Sequence, residues 1–311
     1  MVFGIVCAIL VLILSLAAFL FCRAALRRPS PERAEDPHFQ KTQWGPYQAQ
    51  LKKGRDDIYA LPHERVYLEN GEHLHLAASF FPARESSNRA VILVHGFHTL
   101  PHNNFTPAFF SYYRRGFHIL MIDQRAHGAS RGKFITYGER ESGDVCLWAN
   151  YLADRLGSDT KIVLHGVSMG AATVMLAAPK APQEVCALVA DCGFTTPYWQ
   201  FTYLMHKSIR ILAPLTVSCV LLYYRIFTGC NLFHTDTKKA LAQWTKPTLI
   251  LHGLCDDFVP AAMSKKNFAA CAARQKELVL VPNAAHAMCF LVAPKECDAA
   301  LLRLLRRAHL A

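Results

Sequence analysis

Gly166-Val167-Ser168-Met169-Gly170 sets a serine between two glycines, directly after the apolar run Ile162-Val163-Leu164. A serine hydroxyl attacks a carbonyl carbon only when a base removes its proton, and the usual base is a histidine held in one tautomer by a carboxylate. Both residue types follow downstream. Leu249-Ile250-Leu251-His252-Gly253 leads into a loop carrying Asp256 and Asp257, and Leu278-Val279-Leu280-Val281 leads into Pro282-Asn283-Ala284-Ala285-His286. Serine, acid and histidine in that order, each after a strand-like run, match the order of a nucleophile elbow in a parallel sheet. The chemistry would be acyl transfer, with Ser168 as nucleophile, His286 as base and then acid, and one of the two aspartates orienting the imidazole. The oxyanion of such a reaction needs backbone donors already in place, and the Met169 N–H, next after the nucleophile, is one candidate.

The elbow demands a strand before Ser168 and a helix after it. Ile162 to His165 supplies the strand and Ala171 to Ala177 the helix, while the two glycines permit the close backbone approach of a strained turn. Around this unit the chain alternates short apolar strands (90–94, 117–122, 185–190, 248–251, 277–281) with helical segments near 107–115, 138–156, 261–273 and 294–307. Such alternation predicts a mostly parallel central sheet with helices on both faces. Glu64–Glu69 and His73–Phe81, joined at Asn70-Gly71, read as a leading hairpin. His73 and His75 share a strand face, but with no third ligand nearby they read as ordinary strand histidines. The alternation breaks between Cys192 and Trp244, a stretch rich in aromatics with the uncharged run Ile211 to Tyr224, and this insertion is expected to form an apolar helical cap over about residues 193–244.

Of the 311 residues, 52% are hydrophobic, and part of that excess is the uncharged segment Met1 to Cys22. As a helix it would extend roughly 33 Å, enough to cross a hydrocarbon core. No Lys or Arg precedes Arg23, and the bulky Phe19-Leu20-Phe21 before Cys22 does not resemble a lipoprotein signal, so residues 1–22 are expected to be an uncleaved transmembrane anchor. Arg23, Arg27 and Arg28 then predict a catalytic body on the cytoplasmic side. Eleven cysteines without a Cys-x-x-Cys pair agree with a reducing compartment. Residues 23–61, polar and dotted with prolines, are expected to be a tether, with the folded domain spanning 62–311. The net charge of +11 suits an anionic surface, yet no basic block interleaved with aromatics points to nucleic acid. No phosphate-binding glycine pattern is present, and the chemistry asks for neither a metal nor an organic cofactor.

Over about residues 62–309 the sequence resembles the α/β-hydrolase superfamily, close to bacterial single-domain serine hydrolases grouped with serine-aminopeptidase-like sequences. The family pattern His-Gly-x-x-Asp-x-x-Val-Pro falls on His252 to Pro260 and selects Asp256 as the acid. The resemblance further implies the Phe97 N–H, in His95-Gly96-Phe97, as the second oxyanion donor, with His95 bracing the turn and Asp123, Arg125 and His127 in structural hydrogen bonds; Asp144 is given no part in the chemistry. The expected protein is a membrane-anchored serine hydrolase acting on a carboxylic ester or related acyl bond of a lipophilic substrate. Peptide and thioester cleavage use the same groups, and a non-catalytic membrane scaffold that keeps the fold is the alternative of a different class.

Overall fold

The computed structural model describes residues 43–311 and, nearer the N-terminus, Ser15, Leu16, Phe19 and Leu20. Apart from those four residues, the anchor expected at 1–22 lies outside the described residues, as does the tether through residue 42. The last part of the expected tether is folded. After a 3-10 turn at Gly45–Tyr47, α1 (Gln48–Tyr59) carries Ile58 fully buried into the core. Its sequence reads as a linker because most of its side chains are polar and only one is buried.

The hairpin β1 (Glu64–Glu69) and β2 (His75–Phe81) is followed by β3 (Arg89–Val94), α2 (Pro101–Tyr113) and β4 (His118–Asp123). α2 begins six residues before the expected Pro107, because Pro101 occupies its first turn and Pro107 is tolerated inside it. α3 (Glu141–Leu156), β5 (Lys161–Val167), α4 (Met169–Ala177) and β6 (Val185–Asp191) come next. The insertion forms α5 (Pro197–Ile209), a 3-10 turn at Arg210–Leu212, α6 (Ala213–Thr228) and the short α7 (Thr237–Leu241). β7 (Thr248–Gly253), α8 (Ala261–Ala270), β8 (Lys276–Val281), α9 (Cys289–Val292) and α10 (Pro294–Arg307) complete the chain.

These strands make one eight-stranded sheet in the order β1-β2-β4-β3-β5-β6-β7-β8, antiparallel at β1-β2-β4 and parallel elsewhere. Successive strand residues point to opposite faces. In β3, accordingly, Val91 and Leu93 join the core that α2 and α10 cover, whereas Ile92 and Val94 join the core under α3 and α4. Burial on both faces is why the strand is a continuous apolar run rather than an alternating one. A third cluster lies beneath the cap, where Val217, Leu221 and Tyr224 of α6 meet Phe201 of α5, Phe194 and Met169.

Candidate active site

β5 ends in a turn that only this sequence pattern permits. Ser168 adopts φ 57° and ψ −118°, a left-handed-side conformation that costs about 1–3 kcal/mol for a side-chain-bearing residue. A Cβ on Gly166 would collide with the Gly170 carbonyl, and one on Gly170 with the Val94 carbonyl, so the helix can start against the sheet only with glycine at both places. The Ser168 N–H donates to Asp191 O at 2.8 Å, fixing the turn to the end of β6.

The histidine and acid arrive from the next two strand ends. His286 Nε2 lies 2.9 Å from Ser168 Oγ, and His286 Nδ1 lies 2.8 Å from Asp256 Oδ2. Asp256 Oδ1 accepts the N–H groups of Phe258 (2.9 Å) and Val259 (2.8 Å), closing the loop after β7. Burial acts to raise the pKa of Asp256, but hydrogen bonds from His252 and His286 and the Val259 amide outweigh it. The carboxyl is held well below its ordinary value and stays an anion. Asp257, the neighbouring carboxylate, faces solvent. Gly253 serves the same loop, since a Cβ there would strike the Ala284 carbonyl.

On the other side of Ser168, the 95–98 turn is pinned by side chains. Gly96 N–H donates to Asn104 Oδ1 at 2.8 Å, and a Cβ on Gly96 would stand 3.2 Å from Ser168 Cβ. His95 donates through Nδ1 to Gly96 O and accepts the Gln124 N–H at Nε2, a brace that needs a neutral ring. Burial supplies that neutrality by pushing its pKa down to about 4. His127 works alike, accepting the His98 N–H at Nε2 while Nδ1 donates to Arg125 O. Among the described residues, the N–H groups of Phe97 and Met169 donate to no protein acceptor, so both are free for a ligand oxygen. The Phe97 ring stacks on Tyr137 at 5.5 Å, tying this turn to the cap cluster.

The remaining sequence candidates fall outside the cleft. Asp123 pairs with Arg65 at 2.7 Å, and Arg125 grips the buried Asp144 through two bonds of 2.7 and 2.8 Å and reaches Glu72 at 3.0 Å. Asp144 also accepts from Asn70, so it anchors the β1–β2 hairpin to α3. His73 and His75 are exposed beside Glu69.

Three features were not found from sequence. His252 approaches Asp256 Oδ2 at 3.2 Å, a contact signalled only by its place in the His-Gly strand end. Cys192 brings its sulfur, with donor atoms of Asp256 and His286, into a set within 4.8 Å of one another. That set could hold a soft divalent cation, but two of its members already bond each other, so an ion there would compete with the His286–Asp256 contact. Third, cap helix α5 holds the acid loop: Gln200 Nε2 donates to Phe258 O at 2.7 Å and Lys207 Nζ to Asp257 O at 2.5 Å.

The family model described as alpha/beta hydrolase fold matches residues 89–207, and that described as serine aminopeptidase, S33, matches residues 221–290. YqkD of Bacillus subtilis (strain 168) is 26% identical over 176 residues, which span 56% of this chain and 57% of YqkD. The match therefore covers little more than half of that relative. The membrane protein YNL320W of Saccharomyces cerevisiae is 23% identical over 231 residues, 74% of this chain and 75% of the yeast protein. Esterase Pf2001 of Pyrococcus furiosus shares the fold with a TM-score of 0.67 at 21% identity, over 81% of this chain and 93% of its own. One family model ends and the other begins within the cap helices, and together with the shared sheet they leave a single assignment: the chain belongs to the α/β-hydrolase superfamily.

Proposed function

We propose that the chain is a membrane-anchored serine hydrolase that cleaves a carboxylic ester or related acyl bond. The observation that carries this reading is the unbroken hydrogen-bonded line from Ser168 Oγ through both nitrogens of His286 to the Asp256 anion. Ser168 Oγ attacks the carbonyl carbon as its proton passes to His286 Nε2, and the imidazolium that forms is stabilised by Asp256. The oxyanion lies against the N–H groups of Phe97 and Met169. His286 then protonates the leaving alcohol, and water, activated by the same nitrogen, releases the acid and restores Ser168. No step calls for a metal or cofactor.

A lipophilic acyl group suits the apolar cluster of Phe97, Met169, Tyr137 and Phe201 next to the nucleophile. The aminopeptidase alternative draws support from the family match over 221–290, but an α-ammonium group needs an acidic partner, and Cys192 to Thr235 contains no Asp or Glu. Ester cleavage is therefore the preferred reading. Anchoring rests on the uncharged residues 1–22 and the arginines after them, which orient the body to the cytoplasm, and on the yeast relative's description as a membrane protein.

The test is labelling with a fluorophosphonate probe together with turnover of short and long p-nitrophenyl esters and of aminoacyl p-nitroanilides. Labelling and ester turnover, both lost in Ser168→Ala, are expected. Folded wild-type protein that neither labels nor turns over any substrate would leave only the scaffold reading.

A further inference from the structure

Helix α6 is apolar on two opposite faces, with Arg225 its one charged residue. Its inner stripe, including Val217, Val220, Leu221 and Tyr224, is buried in the cap cluster. Its outer stripe is not covered. Leu215, Leu222 and Ile226 recur at helical spacing (i, i+7, i+11) and are 55%, 55% and 69% exposed, and Ile211 in the preceding turn is 92% exposed. A helix apolar on opposite faces belongs in an apolar environment on both sides, whereas a surface helix carries polar residues outward. Isolated exposed leucines need no explanation, but a continuous stripe of them along one helix does.

Two observations identify what covers the stripe. From Cys192 to Thr235 there is no acidic residue, while Lys207 of α5, Arg210 of the turn and Arg225 of α6 are all exposed. An apolar strip whose own two helices carry cations and no acidic residue complements an anionic lipid surface. It disfavours a second copy of this chain, because a two-fold contact would set the basic residues of these helices against themselves. The second observation is at the helix end, where the ring of Phe19 packs 5.8 Å from that of Phe227. Phe19 belongs to the uncharged N-terminal segment, and its own ring lies at the end of the helix that bears the stripe. Leu16 and Leu20 are more than half exposed beside it.

We infer that the outer face of α6 is a membrane-docking surface, lying in the plane of an anionic bilayer beside the N-terminal segment and holding the cap against the lipid. At 16 residues α6 is about 24 Å long, and its inner stripe is committed to the protein, so it lies on the bilayer rather than crossing it. The docked cap opens the cleft of Ser168 toward the lipid phase. That last step rests on the proposed function; the docking itself does not.

The test uses the full chain in nanodiscs of phosphatidylcholine and phosphatidylglycerol, with and without bromine on the acyl chains. Leu222→Trp adds a fluorophore to the stripe, and Asp154→Trp adds one at the exposed end of α3, at the opposite pole of the sheet. After subtraction of the unsubstituted chain, the Leu222→Trp emission is expected to fall by about half in brominated discs, as for a side chain within the acyl boundary. The Asp154→Trp emission is expected to stay unchanged. Equal quenching at the two positions, a chain that does not co-elute with the discs, or a dimer that shields the stripe from bromine would each overturn the inference. A second variant, Leu215→Gln/Leu222→Gln/Ile226→Gln, is expected to keep its turnover of a short soluble ester and to lose about tenfold on an ester embedded in the same bilayer. Because quenching needs no turnover, a failed enzyme reading and a failed docking surface give different results.

Discussion

His252 and Asp256 stand one helical-turn spacing apart in sequence, yet they meet in a loop, with His252 Nε2 3.2 Å from the Asp256 Oδ2 that also accepts from His286. His252 donates through Nε2 to Val259 O at 2.8 Å and accepts the Ser264 hydroxyl at Nδ1, 2.6 Å away. The Asp256 carboxylate is thus held from two sides, and its exposed neighbour Asp257 has no such support. Asp256→Asn is expected to lower kcat by about 10⁴-fold, because an amide cannot hold the imidazole in the required tautomer. Asp257→Asn is expected to change kcat by no more than about threefold. Steady-state kinetics on a p-nitrophenyl ester separates the two, and a reversed pattern would transfer the role to Asp257.

The elbow makes a prediction about folding rather than rate. Gly170→Ala drives a methyl group into the Val94 carbonyl, a contact that neither strand nor helix can relieve without separating. The expected loss is more than about 4 kcal/mol, seen as a melting temperature lowered by roughly 10 °C. Gly71→Ala, where nothing lies within 4 Å of the added carbon, is the matched control with little expected change.

Arg125 and Asp144 are almost completely buried, with side-chain exposures of 4% and 6%. Arg125→Met leaves the Asp144 carboxylate without its main counter-charge, and the expected cost is about 3–5 kcal/mol. The double substitution Arg125→Met/Asp144→Leu is expected to recover most of that loss. Denaturant titration of both variants measures the difference.

Acid sensitivity follows from the buried histidines. Burial lowers His95 to about 4 and His165 to about 3, from 6.5 in the unfolded chain, and lowers His127 well below its ordinary value. Between pH 6.5 and 4 the unfolded chain binds protons that the folded chain does not. The contribution of these groups is therefore full above pH 6.5 and declines as the solution is acidified, by about 1.4 kcal/mol per pH unit for each of His95 and His165. Glu141 and Asp191, raised by burial, act in the opposite sense but are fewer. Denaturant midpoints at pH 7 and pH 5 are expected to fall with acidification; an unchanged midpoint would mean the histidines are not buried neutral.

Much of the fold was legible because strands buried on both faces are written as uninterrupted apolar runs, and β3, β5 and β7 are such runs. The elbow was legible because steric demand for glycine at positions 166 and 170 leaves a mark in sequence. α1 was missed, since a helix with one buried side chain among polar ones has the composition of a linker. The partners of Asp144 were also out of reach, because Asn70 and Arg125 meet it from 74 and 19 residues away and no local pattern encodes such a meeting. His252 could be seen in its motif but not its second bond to the acid, which depends on the curvature of a loop.

The two bonds from α5 to the carbonyls of Asp257 and Phe258 join the cap to the acid loop as one cooperative unit. Amide hydrogens report such unity directly. The N–H groups of Phe258 and Val259, both bound to Asp256, exchange with solvent only when that loop opens, and the loop opens only when α5 releases it. Their exchange rates thus track the fluctuations of a helix that supplies none of Ser168, His286 and Asp256, and whatever steadies the cap from outside slows deuterium uptake at the floor of the cleft.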